Sequence, residues 1–244
     1  MQPDPLPRDS AGFRIRGAQP TRMETFVDAA FAFAVTLLVI TLDPLPNSVQ
    51  ALVDALKRVP AFLAGFAILA VFWLAHRNFS RRTALEDGWT LLYSLLLVAV
   101  TLVYVFPLRM LMAFAFHHLS GGWLPSALPP APTAGELRLF YVVYGVGFAA
   151  MATSILLMYR HALRRADALG LDAVERLLAR QEIAAMAVLV GSALLSIALA
   201  LLVPPNSWLQ GLPGMVYGLL PLAMGLFVAV ANRQMRALQG AEAA

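Results

Sequence analysis

Six runs of about 20 predominantly apolar residues recur along the 244-residue chain, with segments rich in proline or charge between them. An α-helix of about 20 residues spans the hydrocarbon core of a bilayer. The chain is 60% hydrophobic and only 13% charged, whereas soluble domains are about 45–50% apolar and about 25% charged. We therefore expect an all-α integral membrane protein with six transmembrane helices, at 24–42, 59–79, 89–110, 137–159, 183–203 and 213–231.

The basic residues lie mainly on one side of these runs. Fourteen of the 18 Lys and Arg residues precede the first run or follow the second, fourth and sixth runs, whereas the opposite side holds only Lys57, Arg58 and Arg138. Arg109 lies at the outer end of the third run, where its side chain can extend to the headgroups. Loops rich in Lys and Arg remain in the cytoplasm. Both termini are therefore expected to be cytoplasmic, and the net charge of +4 indicates topology rather than nucleic-acid binding.

The segments outside the runs suggest a simple division of the chain. Residues 1–20 hold four prolines among charged residues, which favours a disordered cytoplasmic N-terminus. A single six-helix transmembrane domain is expected over 21–236, followed by a cytoplasmic tail at 237–244. The spacing of apolar residues among charges at 164–181 predicts a short connector helix on the cytoplasmic membrane surface.

The first run differs from the others because Glu24 and Asp28 lie near its start. A carboxylate inside a membrane costs at least a few kcal/mol unless it is paired or hydrated. Further along, Phe33, Leu37 and Ile40 recur at i, i+4 and i+7 and share one side of a helix, with Thr36 beside them. Such a stripe also fits ordinary packing, and Asp28 also fits a salt-bridged position at the interface, so periodicity alone leaves both interpretations open.

The stretch "RMETFVDA", followed by "FAFAVTLLVI", resembles the first-helix signature of the transmembrane protein 175 family, the endolysosomal potassium channels and their prokaryotic homologues. That signature is Arg, three variable residues, then Phe-Ser-Asp. Arg22, Phe26 and Asp28 match it, whereas Val27 replaces the serine. Trp73 and His76, in "FWLAHRNF", are similar to the tryptophan and histidine near the end of the family's second helix.

The resemblance implies a homotetramer in which the first helix of each subunit lines a central pore. By motif position, Phe33, Leu37 and Ile40 would form a hydrophobic constriction, and Thr36 would be the polar neighbour that contributes to selectivity. The implied function is a potassium-permeable cation channel with a modest preference for K⁺ over Na⁺. Like the family, the chain lacks a glycine-rich filter sequence of the TVGYG type.

The matched polar positions suggest a structural role at the cytoplasmic ends of the first two spans. Unpaired buried polar groups are costly, so their donors and acceptors are expected to satisfy one another. We predict a structural network that ties the two helices together, formed by Arg22, Phe26, Asp28, Trp73 and His76.

Two other classes of function remain open: a secondary transporter and a non-conducting membrane scaffold. A transporter favours internal repeats with broken helices, and no convincing repeat relates the two halves of the chain. An enzyme is not expected, because the four histidines form no HExxH motif and no GxSxG motif is present. No cofactor or metal is expected either, since the adjacent His117 and His118 rarely converge on one ion. The expected partners are further copies of the chain, the lipid bilayer and potassium ions, in the cell inner (plasma) membrane as a multi-pass protein.

Overall fold

The computed structural model describes residues 6–40, 47–126, 132–204 and 208–242, and α-helices make up most of these ranges. A short 3₁₀ turn, Trp208–Gly211, precedes the last two helices. The helices are α1 (Arg22–Ile40), α2 (Val49–Leu56), α3 (Val59–Thr83), α4 (Gly88–Leu119), α5 (Ala134–Arg164), α6 (Ala173–Leu202), α7 (Leu212–Gly218) and α8 (Leu220–Glu242). The all-α prediction is confirmed.

Within these ranges, five helical segments are long and apolar enough to cross a membrane: Val49–Thr83, Gly88–Leu119, Ala134–Arg164, Ala173–Leu202 and Leu209–Leu238. They contain the predicted second to sixth spans, so the chain is a multi-pass membrane protein. The first predicted span corresponds to α1, which has 19 residues and is not among the five.

The starts of α4, α5 and α6 are set by capping side chains that the sequence places before the apolar run. Thr133 and Glu136 form a reciprocal capping box at the start of α5, and Asp172 and Glu175 form another at the start of α6. At α4, the Asp87 carboxylate accepts a hydrogen bond from the Thr90 amide at 2.9 Å. Such caps satisfy amides that the first helical turn leaves without partners.

The helices on either side of the 164–181 loop differ from the sequence prediction. α5 ends at Arg164, a turn follows, and α6 begins at Ala173 and continues unbroken through the membrane span. The separate surface helix over 164–181 was therefore wrong. The physical reason is the Asp172–Glu175 capping box, which starts α6 ten residues before its apolar part.

α5 lies in the middle of the bundle and packs against α3, α4 and α6. Its buried side includes Tyr144, Met151 and Tyr159. Close contact requires a missing side chain at Gly147, because a Cβ there would lie 2.3 Å from Cδ2 of Tyr104 on α4. Small residues allow helices to approach closely in membranes, where packing rather than hydrophobic collapse holds them together.

The N-terminal residues that the structure describes, 6–20, pack on the helix bundle, and we call them the N-terminal strap. Phe13 is fully buried, and the Arg16 and Gly17 amides donate to the carbonyl of Arg81 at the end of α3. The predicted disorder of 1–20 is therefore wrong for these residues. Long-range ion pairs, described below, compensate for their low hydrophobicity.

Candidate functional site

α1 begins with a capping box that the sequence analysis missed. The Thr21 amide donates to Glu24 Oε2 at 2.9 Å, and the Glu24 amide donates to Thr21 Oγ1 at 3.2 Å. Glu24 is buried. The signal was present in the sequence, since Thr-x-x-Glu before an apolar run is a known helix-start pattern. Glu24 therefore needs no partner in a pore, because capping the helix accounts for it.

One side of α1 faces the bundle and packs on α3 and α4. Its buried residues follow helical spacing: Val27, Phe31, Ala34 and Leu38. A Cβ at Gly65 of α3 would lie 3.2 Å from Leu38 Cδ2. This side of α1 therefore anchors the helix to its own subunit.

The opposite side of α1 is exposed and apolar. Phe26 is 50% exposed and Phe33 is 56% exposed, although both are large aromatic residues. Thr36 lies on the same exposed side, and its hydroxyl donates to the Ala32 carbonyl at 2.9 Å. A hydroxyl has two acceptor lone pairs in addition to its single donor. The Thr36 oxygen can therefore still accept a hydrogen bond or contact a cation.

The three residues of the predicted constriction are not equivalent in the single subunit. Phe33 points away from the bundle, whereas Leu37 is partly buried and packs against the hydrophobic core. Ile40 is the last residue of α1, and its side chain lies outside the part of the chain that is described. Of the predicted stripe, Phe33 and the neighbouring Thr36 are thus the members most accessible to a permeating ion or to another subunit.

The predicted polar network separates into two pairs. Trp73 Nε1 donates to Asp28 Oδ1 at 2.7 Å, which ties α3 to α1. His76 is instead buried and lies 3.1 Å from the Ser94 hydroxyl of α4. The two side chains diverge because three residues advance the direction by about 300° around a helix.

The other two members of that predicted network lie on the exposed side of α1. Arg22 and Phe26 are both exposed, and within the described residues Arg22 makes no hydrogen bond to Asp28. The Arg77 guanidinium instead lies 5.9 Å from the Trp73 ring centroid, within the range of a cation–π contact. At this helix end, Trp73 thus contacts both Asp28, by a hydrogen bond, and Arg77, by a cation–π contact.

Ionic contacts join the N-terminal strap to the bundle. Glu175 is fully buried at the start of α6, and it accepts hydrogen bonds from Arg14 Nη2 at 2.6 Å and Arg16 Nη1 at 2.8 Å. Arg82, 7% exposed at the end of α3, donates to Asp9 Oδ2 at 2.9 Å and Glu182 Oε1 at 2.7 Å. Partial burial would raise the pKa of Asp9, but the bonds from Arg82 and nearby amides hold that pKa below its ordinary value.

A third ionic contact connects two helix ends on the same face. Asp87, before α4, lies 2.6 Å from His161 Nε2 and 3.1 Å from Arg165 Nη1 at the end of α5. Burial would raise the pKa of Asp87, but hydrogen bonds from Thr90 and His161 lower the pKa to about 2. Ion pairs on this face thus join α3 to α6 and α4 to α5.

A family profile for the endosomal/lysosomal potassium channel TMEM175 matches residues 22–106. This range contains α1, α2, α3 and the first part of α4, including the Asp28–Trp73 contact, but not the N-terminal strap. A potassium channel of Marivirga tractuosa is 32% identical over 232 residues, which cover 93% of this chain and 93% of the relative.

Two solved structures have the same fold. A threonine-to-alanine variant of the potassium channel MtTMEM175, crystallised with a nanobody–MBP fusion protein, is 30% identical with a TM-score of 0.79, over 93% of this chain and 100% of that chain. A lysosomal potassium-selective channel TMEM175 homologue from Chamaesiphon minutus is 22% identical with a TM-score of 0.54, over 86% of this chain and 97% of that chain. The second comparison supports the fold alone.

Similarity over nearly the whole length of the Marivirga channel and of MtTMEM175, together with a matching first-helix signature, leads to one assignment. The chain belongs to the endosomal/lysosomal potassium channel TMEM175 family, a family of multi-pass membrane ion channels and not of enzymes.

Proposed function

We propose that the chain forms a homotetrameric, potassium-permeable channel whose central pore is lined by α1. The observation that carries the proposal is the exposed side of α1, where a half-exposed Phe33 adjoins a threonine hydroxyl with free acceptor capacity. An apolar side of this kind must be covered by lipid or by other subunits. Because the Marivirga relative and MtTMEM175 are potassium channels, we propose that other subunits cover this side around a pore.

We propose that α1 also spans the membrane, which raises the number of transmembrane spans from five to six. Its 19 residues extend about 28 Å at 1.5 Å per residue, close to the thickness of the hydrocarbon core. Asp28 and Glu24 do not oppose insertion, because one is paired with Trp73 and the other caps the helix. An even number of spans puts both termini on the same side of the membrane, and the distribution of arginines puts that side in the cytoplasm. The proposed location of the channel is the cell inner (plasma) membrane.

The proposed constriction consists of four copies of Phe33, Leu37 and Ile40. A ring of apolar side chains conducts only when it is wide enough to remain hydrated, and otherwise closes by dewetting. Such a ring offers no fixed set of oxygen ligands, so the preference for K⁺ over Na⁺ is expected to be modest. It would come from the lower cost of partly dehydrating the larger ion, with the Thr36 oxygen as the nearest polar group.

Potassium flux distinguishes the proposed channel from the other two classes of function. Purified protein in liposomes with an outward potassium gradient should give passive flux that follows the membrane voltage. A secondary transporter would require a coupled or exchanged ion, and a scaffold would give no flux above empty liposomes. Flux that depends on a second ion, or no flux at all, would contradict the proposal.

Disulfide cross-linking tests the symmetry axis, because the chain contains no cysteine of its own. Residues close to a symmetry axis meet their own copies, whereas residues elsewhere do not. Phe33→Cys should therefore give cross-linked dimers on mild oxidation in membranes. Val103→Cys, on the exposed side of α4, serves as the control and should remain monomeric on a denaturing gel.

Asp28→Ala should reduce assembly more than it alters ion preference. The substitution removes the acceptor of the Trp73 indole, and an unmatched polar group at a helix contact costs about 1–3 kcal/mol. We expect a lower yield of tetramer by size-exclusion chromatography, with an unchanged reversal potential. Asp54→Ala, at an exposed position on α2, is the control. Full tetramer recovery with an altered K⁺/Na⁺ preference would refute the structural role.

A further inference from the structure

We infer that the N-terminal strap sets the position of the start of α1, with Glu175 as the positioning residue that holds the strap. The inference rests on the proposed channel function, in which α1 lines the pore. The strap lies outside the 22–106 range that matches the family profile. Its role therefore has to be argued from its own contacts.

Glu175 holds the strap through both carboxylate oxygens. Oε1 accepts hydrogen bonds from the Arg14 amide at 2.9 Å, Arg14 Nε at 3.1 Å and Arg16 Nη1 at 2.8 Å. Oε2 accepts from Arg14 Nη2 at 2.6 Å, Arg16 Nη2 at 3.0 Å and the Asp172 amide at 3.0 Å. Charge-assisted hydrogen bonds of this kind are about twice as strong as neutral ones. One fully buried carboxylate on α6 thus binds two consecutive basic positions of the strap.

A second anchor attaches the strap to the end of α3. The Arg16 and Gly17 amides both donate to the Arg81 carbonyl, at 2.9 and 3.0 Å. A Cβ at Gly17 would lie 3.0 Å from the Ser80 carbonyl oxygen, so the backbones approach closely there. The Phe13 ring is buried between the guanidinium groups of Arg16 and Arg82, whose Cζ atoms lie 5.7 and 5.4 Å from its centroid.

The strap can restrain α1 because the connection between them is short. α1 begins at Arg22, five residues after Gly17. A chain of five residues reaches at most about 18 Å when fully extended. The capping box of Thr21 and Glu24 occupies the last part of that connection. While the strap is docked, the start of α1 is therefore tied to α6 as well as to α3 and α4.

This tie affects gating, because opening and closing of a helix-lined pore require movement of the lining helices. A docked strap favours the α1 position that is compatible with docking, and its release shifts the equilibrium between conducting and non-conducting states. No strap residue belongs to the exposed side of α1. Unitary conductance and ion preference should therefore stay the same while open probability changes.

The test compares Glu175→Gln with Asp167→Asn in the full-length channel in nanodiscs and planar bilayers. Asp167 is a matched control, because its carboxylate is in an exposed pair with Arg176 and, among the described residues, makes no ion pair or hydrogen bond with the strap. Glu175→Gln should accelerate amide hydrogen exchange at residues 13–17 by about tenfold. It should also change open probability by about fivefold or more, with unitary conductance unchanged. Glu175→Asp should restore both values toward wild type.

Arg16→Gln provides a second variant in case Glu175→Gln fails to fold, because it removes two donors and leaves α6 intact. The proposal is overturned if strap amides exchange as fast in wild type as in these variants. It is also overturned if the strap is released while open probability stays within twofold of wild type. A wild-type channel that passes no potassium would overturn the proposed function and the gating role with it, although slow exchange at residues 13–17 would still identify the docked strap.

Discussion

Replacing Phe33 with alanine should raise the potassium conductance several-fold and weaken the preference for K⁺ over Na⁺. In the proposed tetramer the change removes four aromatic rings from one level of the pore. A wider apolar ring stays hydrated more of the time, and ions that keep their water shells are poorly distinguished. Single-channel recording in symmetric potassium measures the conductance, and the reversal potential with K⁺ opposite Na⁺ measures the preference.

The Phe33 prediction separates a pore role from a structural one. Phe33 is 56% exposed in the subunit, so its truncation should cost little folding stability and tetramers should be recovered normally. Val103→Ala, at an exposed position of α4, is the matched control and should leave both measurements unchanged. Unaltered conductance in Phe33→Ala would place the constriction elsewhere and would remove the main support for α1 as the pore helix.

Replacing Arg82 with methionine should cause a large loss of stability. Methionine keeps much of the side-chain volume but removes the charge that pairs with Asp9 and Glu182 and donates to the Tyr159 hydroxyl at 3.3 Å. Removing one member of a buried ion pair costs about 3–5 kcal/mol. The two carboxylates are about one quarter exposed and can partly rehydrate, so we expect about 2–3 kcal/mol.

Thermal unfolding of the purified channel in detergent measures this loss. Lys57→Met is the control, because its partner Asp54 is 53% exposed and pairs with an exposed member contribute little. The midpoint of Arg82→Met should fall by several degrees, whereas that of Lys57→Met should hardly change. Equal midpoints for wild type and Arg82→Met would mean that the Arg82 contacts do not stabilise the fold.

Hydropathy predicted most of the helical bundle. The second to sixth spans correspond to five helical segments that are long and apolar enough to cross a membrane, because a run of apolar residues can satisfy its backbone inside lipid only as a helix. The ends of the helices were less predictable. α4 continues through Pro107 to Leu119, beyond the predicted end at 110, because residues 111–116 are apolar helix formers and no glycine follows before Gly121.

The candidate site was predictable only in part. The signature residues indicated an interaction between the first two spans, and the structure contains it as the Asp28–Trp73 hydrogen bond. The direction in which each side chain points was not predictable. His76 lies against Ser94 rather than Asp28, and Leu37 packs toward the core while Phe33 faces outward. These outcomes depend on how α1, α3 and α4 rotate about their own axes when they pack.

By itself, the sequence determined that this chain is a bundle of membrane helices, because hydropathy and helix formation depend on neighbouring residues along the chain. Only the tertiary structure decided the fate of the N-terminal segment. Its prolines and charges are typical of a disordered tail, yet Arg14 binds Glu175 across 161 residues of chain. A buried carboxylate selects its partner by position in space, and that position exists only after α3, α5 and α6 have packed together.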